Sequence, residues 1–331
     1  MMNYEEFKAV VAEQFQNHMP ERFADYKVYI RPVEKINHRM DALQLIPPDG
    51  EKIIAGAIEY VDVMYQKYLE TGSLQGVMIS TAQHMEAVYR ELPQSIDALH
   101  PDIFDSRVIL MLINTEQNKD LLKTIPHREF CDLSIVYRFV ANMDSNGISS
   151  GFINNEIAKE KGLSEQELYD AAIVNTPKIF PPVIKTIDEV VREITGDSIP
   201  EEIRDLVFAE ITPEKQMYVI SNDMQLYGAA CLLYENELHK LAERVGCNLY
   251  IIPSSIHDLI AIPAVSGNEE ELAEMVAEVN REHVKLEERL SNQVYHYDKN
   301  LRKVTLVTDT PYKRLDDMHV TFPSGIEARS R

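Results

Sequence analysis

The residues most like a reactive group lie in one stretch, Leu249 to Pro263, which reads LYIIPSSIHDLIAIP. Two apolar runs flank a polar knot of Ser254, Ser255, His257 and Asp258. Serine, histidine and aspartate are the types that serve as nucleophile, general base and orienting group. Their spacing argues against that use. In an extended chain successive side chains point to opposite faces, so Asp258 cannot orient the imidazole of its neighbour His257. Ser255 and His257 share a face, but about 7 Å separates their Cα atoms. The one G-x-S-x-G string, Gly147 to Gly151, lies outside this stretch, so neither Ser254 nor Ser255 sits on a nucleophile elbow. The residues support a turn first: Pro253 ends one strand, the serines bond the backbone locally, and His257 with Asp258 begins the next.

Metal chemistry has no better footing. His257, His283 and His296 are scattered, and no H-x-x-x-H or H-E-x-x-H pattern puts two histidines on one helical face. His283 falls in the row Leu272, Met275 or Val276, Val279, His283, Leu286, Leu290, where it reads as a packing residue. The chain holds 12 glycines but neither G-x-G-x-x-G nor G-x-x-x-x-G-K. A helix expected to start at Gly228 would still offer backbone N–H groups to an anion. Arg138 sits in an otherwise apolar strand, as a sheet-edge charge, a carboxylate's partner or an anion ligand. Tyr295, His296 and Tyr297 open a hairpin and read as cross-strand packing. None of these implies a cofactor.

The bulk numbers narrow the function classes. The chain has 331 residues, 45% of them hydrophobic, enough for one large or two modest cores. Lys and Arg number 33 against 54 Asp and Glu, a formal charge of −21. A protein that tracks phosphates needs clustered cations, so direct nucleic-acid binding is disfavoured, and an anionic membrane surface would repel the chain. The acidity serves solubility first; its sharper readings are a docking face for a basic protein partner, or a mimic of nucleic acid. Three cysteines, Cys131, Cys231 and Cys247, match no zinc or redox spacing and predict buried thiols in a reducing compartment. The opening MMNYEEFKAV has acids where a signal peptide has bases. The run VILMLI at 108–113 is too short to span a bilayer. These features predict a cytoplasmic protein of bacterial type.

Periodicity supplies the elements. A helix is expected over 4–17, then a hairpin in which Tyr26, Val28 and Ile30 alternate with Lys27, Tyr29 and Arg31. Helices follow over 51–69 and 74–90, and strands over 107–115 and 131–143. Residues 149–177 read as two helices, the second capped by Ser164 with Glu167, and 184–194 as another. The last third reads as a strand at 217–223, a helix at 228–246 stopped by Gly246, and two strands around the knot. A helix at 268–290 and a hairpin at 294–307 complete it.

That order predicts an α+β chain. A ferredoxin-like β-α-β-β-α-β sheet domain over 216–307 would pack on an N-terminal α+β region over 1–195, with a loosely held tail at 308–331. In such a sheet the first strand's end, the second strand's end and the third strand's start share one edge. Asn222, Asp223, Gly228, Ser254, Ser255 and His257 should therefore converge there as a candidate ligand site. Three functions fit: a binding or interaction protein without catalysis, a small-molecule sensor or enzyme using this cluster, and a nucleic-acid mimic. The combination MYVISND, YGAACLLY and LYIIPSSIHDLIAIP also resembles an uncharacterised family of gut Gram-positive bacteria, known only as a domain of unknown function. Ser221, Asn222, Gly228, Ala229, Pro253, Ser254, Ser255, Ile256 and His257 carry the resemblance, with Asp258 where glutamate is expected. The resemblance implies a bacterial cytosolic origin and brings no activity.

Overall fold

The computed structural model describes residues 1–48, 57–91, 106–144, 147–196, 215–265, 268–310 and 314–316. The chain is mixed α+β and divides into two compact units, Met1–Ile103 and Phe104–Arg331.

In the first unit, helix α1 (Tyr4–Gln14) begins at a capping box: Asn3 accepts from the Glu6 N–H and Glu6 accepts in return. Strands β1 (Lys27–Lys35) and β2 (His38–Ile46) form the expected hairpin, in register from Lys27↔Ile46 to Lys35↔His38. Its turn uses Asn37 at φ 66, a left-handed conformation that asparagine tolerates. Strand β3 (Ile58–Tyr60) pairs with β2, and α2 (Val61–Thr71) and α3 (Leu74–Glu91) follow. Residues 51–56 of the helix expected at 51–69 lie outside the described residues, and α2 starts only at Val61 because Ile58 to Tyr60 extend the sheet. Phe7, Val11, Phe15, Leu43, Leu45, Val61, Met64 and Met85 fill the core.

The second unit holds two sheets. Strand β6 (Leu133–Asp144) is the spine of the first: β4 (Val108–Asn114) lies on one edge, β5 (His127–Phe130) and β7 (Gly147–Phe152) on the other. Residues 149–152, expected to be helical, thus extend the sheet as part of β7. Helices α4 (Asn155–Lys161) and α5 (Glu165–Ile179) come next, α5 from the expected Ser164–Glu167 capping box. The open edge of β4 is satisfied by α5: the Leu110 N–H donates to Thr176 Oγ1 at 3.0 Å, and Asn175 Nδ2 to the Val108 carbonyl at 3.2 Å.

The second sheet contains β8 (Pro182–Thr186), β9 (Tyr218–Asn222), β10 (Leu249–Pro253), β11 (Leu259–Pro263), β12 (Tyr295–Asp298) and β13 (Lys303–Leu306). Its order is β13-β12-β10-β11-β9-β8, and every pair is antiparallel. The ferredoxin-like arrangement is corrected by this order. That fold sets its fourth strand beside its first; here β12 pairs with β10, because β8 already bonds the open edge of β9 from Pro182↔Asn222 to Thr186↔Tyr218. The expected boundary between 195 and 216 lies mostly outside the described residues, and the strands flanking it are partners in one sheet. Helix α6 (Ile187–Thr195) follows β8.

Two further expectations change. The segment from Gly228 opens as a 3₁₀ turn (Gly228–Leu233), and helix α7 (Glu235–Val245) begins only afterwards, ending at Gly246 with φ 87. Helix α8 (Glu269–His283) buries Ala273, Val276 and Asn280; Met275 and Val279, expected inside, are 48% and 42% exposed. His283 is exposed rather than packed, and Leu290, though buried, lies beyond the helix. Val276→Ala is therefore expected to cost about 2 kcal/mol, and Met275→Ala less than about 0.5 kcal/mol, by urea unfolding. Equal costs would contradict this orientation. Part of the expected loose tail is docked: Thr308 and Leu315 are buried, while 311–313 and 317–331 lie outside the described residues.

Candidate functional site

The polar knot is the turn from β10 to β11, closed by the pair Pro253↔Leu259. The N–H groups of Ser254 and Ser255 both donate to the Asp258 carbonyl at 3.1 Å. Ser255 Oγ accepts from the N–H of His257 at 2.9 Å and of Asp258 at 3.2 Å. The Ile256 N–H donates to the Glu288 carbonyl at 2.8 Å. The Ser255 hydroxyl is thus occupied as a local backbone acceptor, which is how serine builds turns. No hydrogen bond joins Asp258 to the His257 ring among the described residues, so no triad forms.

The end of β9 meets this turn. Ser221 Oγ donates to the His257 carbonyl at 2.9 Å. Asn222, 5% exposed, accepts from the N–H groups of Met224 and Leu226 at 3.1 and 3.2 Å and donates to the Leu226 carbonyl at 2.7 Å. This folds residues 222–227 into a tight loop with Gln225 and Tyr227 at positive φ, 51 and 57. The Tyr227 N–H then donates to Nδ1 of His257 at 3.2 Å, so the neutral ring carries its proton on Nε2. Gly228 touches both sides of the junction: a Cβ there would run into the His257 carbonyl oxygen, Ser221 Oγ and, at 2.9 Å, Ser221 Cα.

Of the six predicted site residues, Asn222, Gly228, Ser255 and His257 belong to this one knot. Ser254 enters through its backbone, and Asp223 faces solvent with its N–H on the Pro181 carbonyl at 3.1 Å. The anion cradle expected at Gly228 is corrected. The first N–H groups of that turn are used internally, Ala229 on Ile256 and Ala230 on Tyr227. Removing the imidazole strips the Tyr227 N–H of its acceptor, so His257→Ala is expected to lower stability by about 1–2 kcal/mol in urea unfolding. An unchanged midpoint would contradict this.

Tyr227 was not anticipated, and it links the knot to Arg138. Its ring stacks on His257 with centroids 6.1 Å apart and planes at 19°. Its other neighbour is the Arg138 guanidinium, 5.4 Å from the Tyr227 centroid and 4.5 Å from that of Phe152. Arg138 Nε donates to Ser150 Oγ at 3.1 Å and Nη2 to the Ser150 carbonyl at 2.7 Å. Burial pulls its pKa below the ordinary value, and among the described residues no carboxylate pairs with it. Only the QLYG sequence, a residue before glycine in a loop, hinted at Tyr227.

A second concavity, of about 320 Å³, is lined by Asn114, Thr115, Glu116, Glu129, Cys131, Asp132, Gln293, Leu306 and Asp309. Its neutral amides are engaged: Asn114 Nδ2 with the Leu290 carbonyl at 3.2 Å, and Gln293 Oε1 with Thr308 Oγ1 at 2.9 Å and the Thr310 N–H at 3.0 Å. Asp132 accepts from Tyr295 O–H at 2.5 Å and Ser291 Oγ at 2.6 Å. Cys131 is exposed, contrary to expectation, while Cys231 is buried. Partial desolvation of its sulfur, despite the exposed residue, and the neighbouring Asp132 push the Cys131 thiol up, which is the reverse of what a nucleophilic thiolate needs. No group of three His, Cys, Asp or Glu among the described residues could hold a metal ion. Four carboxylates give the pocket an acidic lining, of which Glu116 is already paired with Lys119 at 2.6 Å. No sequence motif announced it, because its carboxylates come from separate stretches of chain.

The described residues form a mixed α+β chain of antiparallel sheets, with an acidic pocket and a cation–aromatic stack and, among them, no assembled triad. No helix among the described residues is long and apolar enough to cross a membrane. The model of a family of unknown function, DUF5688, matches residues 4–299, and the chain belongs to that family. No curated protein and no solved structure matches it.

Proposed function

We propose that the chain is a non-catalytic binding protein whose acidic pocket takes a cationic group of a protein partner. The observation that carries this reading is a concavity bearing Glu116, Glu129, Asp132 and Asp309, whose neutral amides are already hydrogen-bonded within the fold. The formal charge of −21 adds long-range attraction for a basic partner. The same charge opposes retention on duplex DNA at ~150 mM salt, where non-specific binders rely on cationic contacts. Three cysteines outside any disulfide support a reducing, cytoplasmic setting, and the family resemblance points to gut Gram-positive bacteria.

Calorimetric titration with a lysine- and arginine-rich peptide tests the reading. Binding is expected to weaken with salt and to fall in Glu129→Gln and Asp309→Asn. Affinity that ignores both salt and these substitutions would refute it, as would the absence of binding.

A further inference from the structure

The strongest unexplained feature is Arg138. In an acidic chain, a half-buried guanidinium without a carboxylate among the described residues is unusual, because burying a cation is costly unless it is paired. The faces of Phe152 and Tyr227 offset part of that cost. Ser150 accepts from Nε and Nη2, which fixes the plane of the fork without neutralising it. Nη1 has no partner among the described residues, yet it is not among the buried unpaired atoms, so solvent reaches it. Nε2 of His257 is in the same position, with Nδ1 committed to the Tyr227 backbone. Arg138 and His257 therefore both lie against the Tyr227 ring, each with a donor left over.

We propose that the Arg138–Tyr227–His257 stack is a binding site for a small anionic molecule. Its carboxylate or phosphate pairs with the Arg138 guanidinium, and a second acceptor meets Nε2 of His257. The pairing supplies the negative charge that the fold does not, through charge-assisted hydrogen bonds from a pre-oriented fork. The site is separate from the acidic pocket, which would repel such a ligand.

The test uses the full chain with arginine side chains labelled for NMR, titrated with inorganic phosphate and with succinate. At least one anion is expected to shift the Arg138 Nε–Hε resonance saturably, and the tighter of the two identifies phosphate or carboxylate as the group recognised. Arg138→Gln should lose the response, His257→Gln should weaken binding about tenfold, and Arg138→Lys should retain a weaker site because it keeps the charge without the fork. Arg192→Gln, on the exposed face of α6, should bind as the parent does. A parent resonance that neither anion moves overturns the proposal, as does a shift that chloride reproduces at equal ionic strength. Arg138→Gln binding as tightly as the parent would also overturn it. Should Arg138→Gln fail to fold by thermal melting, the parent resonance and Arg138→Lys still decide.

Discussion

Arg289→Ala is expected to destabilise the chain by about 3–5 kcal/mol, the largest loss from any single polar residue described. The residue is 5% exposed, and three backbone carbonyls are among its hydrogen-bond acceptors. Nε donates to Val284 at 2.9 Å, Nη2 to Arg281 at 3.2 Å and Nη1 to Leu315 at 2.7 Å. Two of these carbonyls belong to the last turn of α8 and the residue after it, where a helix has no partners of its own. A cation there also complements the negative end of the helix dipole. Alanine leaves all three carbonyls in a site closed to water, and each such loss costs about 1–3 kcal/mol without strict additivity. The midpoint of urea unfolding measures the sum. Faster proteolysis between Thr308 and Asp316 should accompany it, because Leu315 loses one of its two anchors, the other being Gln117 Oε1 at 3.1 Å. A loss below about 1 kcal/mol would show that water reaches these carbonyls after all.

Gly228→Ala should cost about 3 kcal/mol or more, or leave the chain insoluble. The backbone at Gly228 is not the obstacle, since its φ is not positive. The obstacle is the space: the new methyl would overlap the His257 carbonyl, Ser221 Oγ and Ser221 Cα, two of them backbone atoms with no rotamer to retreat to. Relief requires parting β9 from the β10–β11 turn, which also breaks the hydrogen bond from Ser221 Oγ to His257. Overpacking in a tight core costs about 1–3 kcal/mol before such a bond is counted. Circular dichroism and urea unfolding of the variant measure it; near-parental stability would mean that the junction can open.

Much of the local structure was legible because its causes are local. The Ser164–Glu167 box and the Gly246 stop stand where the sequence placed them, and the alternation of Val28 and Ile30 marked β1. Strand β8 was missed because residues 184–186 were read into the helix expected at 184–194; its first residue, Pro182, is tolerated because β8 is an edge strand. Strand order could not be read, since a β-α-β-β-α-β sequence fits more than one sheet and the choice turns on which edge is already occupied. Helix α8 offered two helically spaced stripes. The more apolar one, with Met275 and Val279, faces water, while the other buries Asn280, whose Nδ2 serves the Ser291 carbonyl and Asn292 Oδ1 at 2.9 and 2.8 Å. The meeting of Asn222's loop with His257 needs only that β11 lie between β9 and β10, a part of the expected order that the sheet keeps. The roles of Tyr227 and of the acidic pocket were not legible, because they depend on side chains brought together only by the finished fold.

The bonds from Asp132 to Tyr295 and Ser291 also set a timetable. Asp132 and Tyr295 are 163 residues apart, and Asn114 and the Leu290 carbonyl 176. At ribosomal speeds of about 5–20 residues per second, that is roughly 8–30 s of synthesis between one partner and the other. The first unit, ending at Ile103, is fully translated before any of this and is free to fold alone. The sheet built on β6 must instead emerge with its carboxylate and amide still in water. A nascent chain interrupted before Tyr295 would carry that sheet without the Tyr295 hydroxyl that bonds Asp132, and such a fragment is the natural prey of chaperones and proteases.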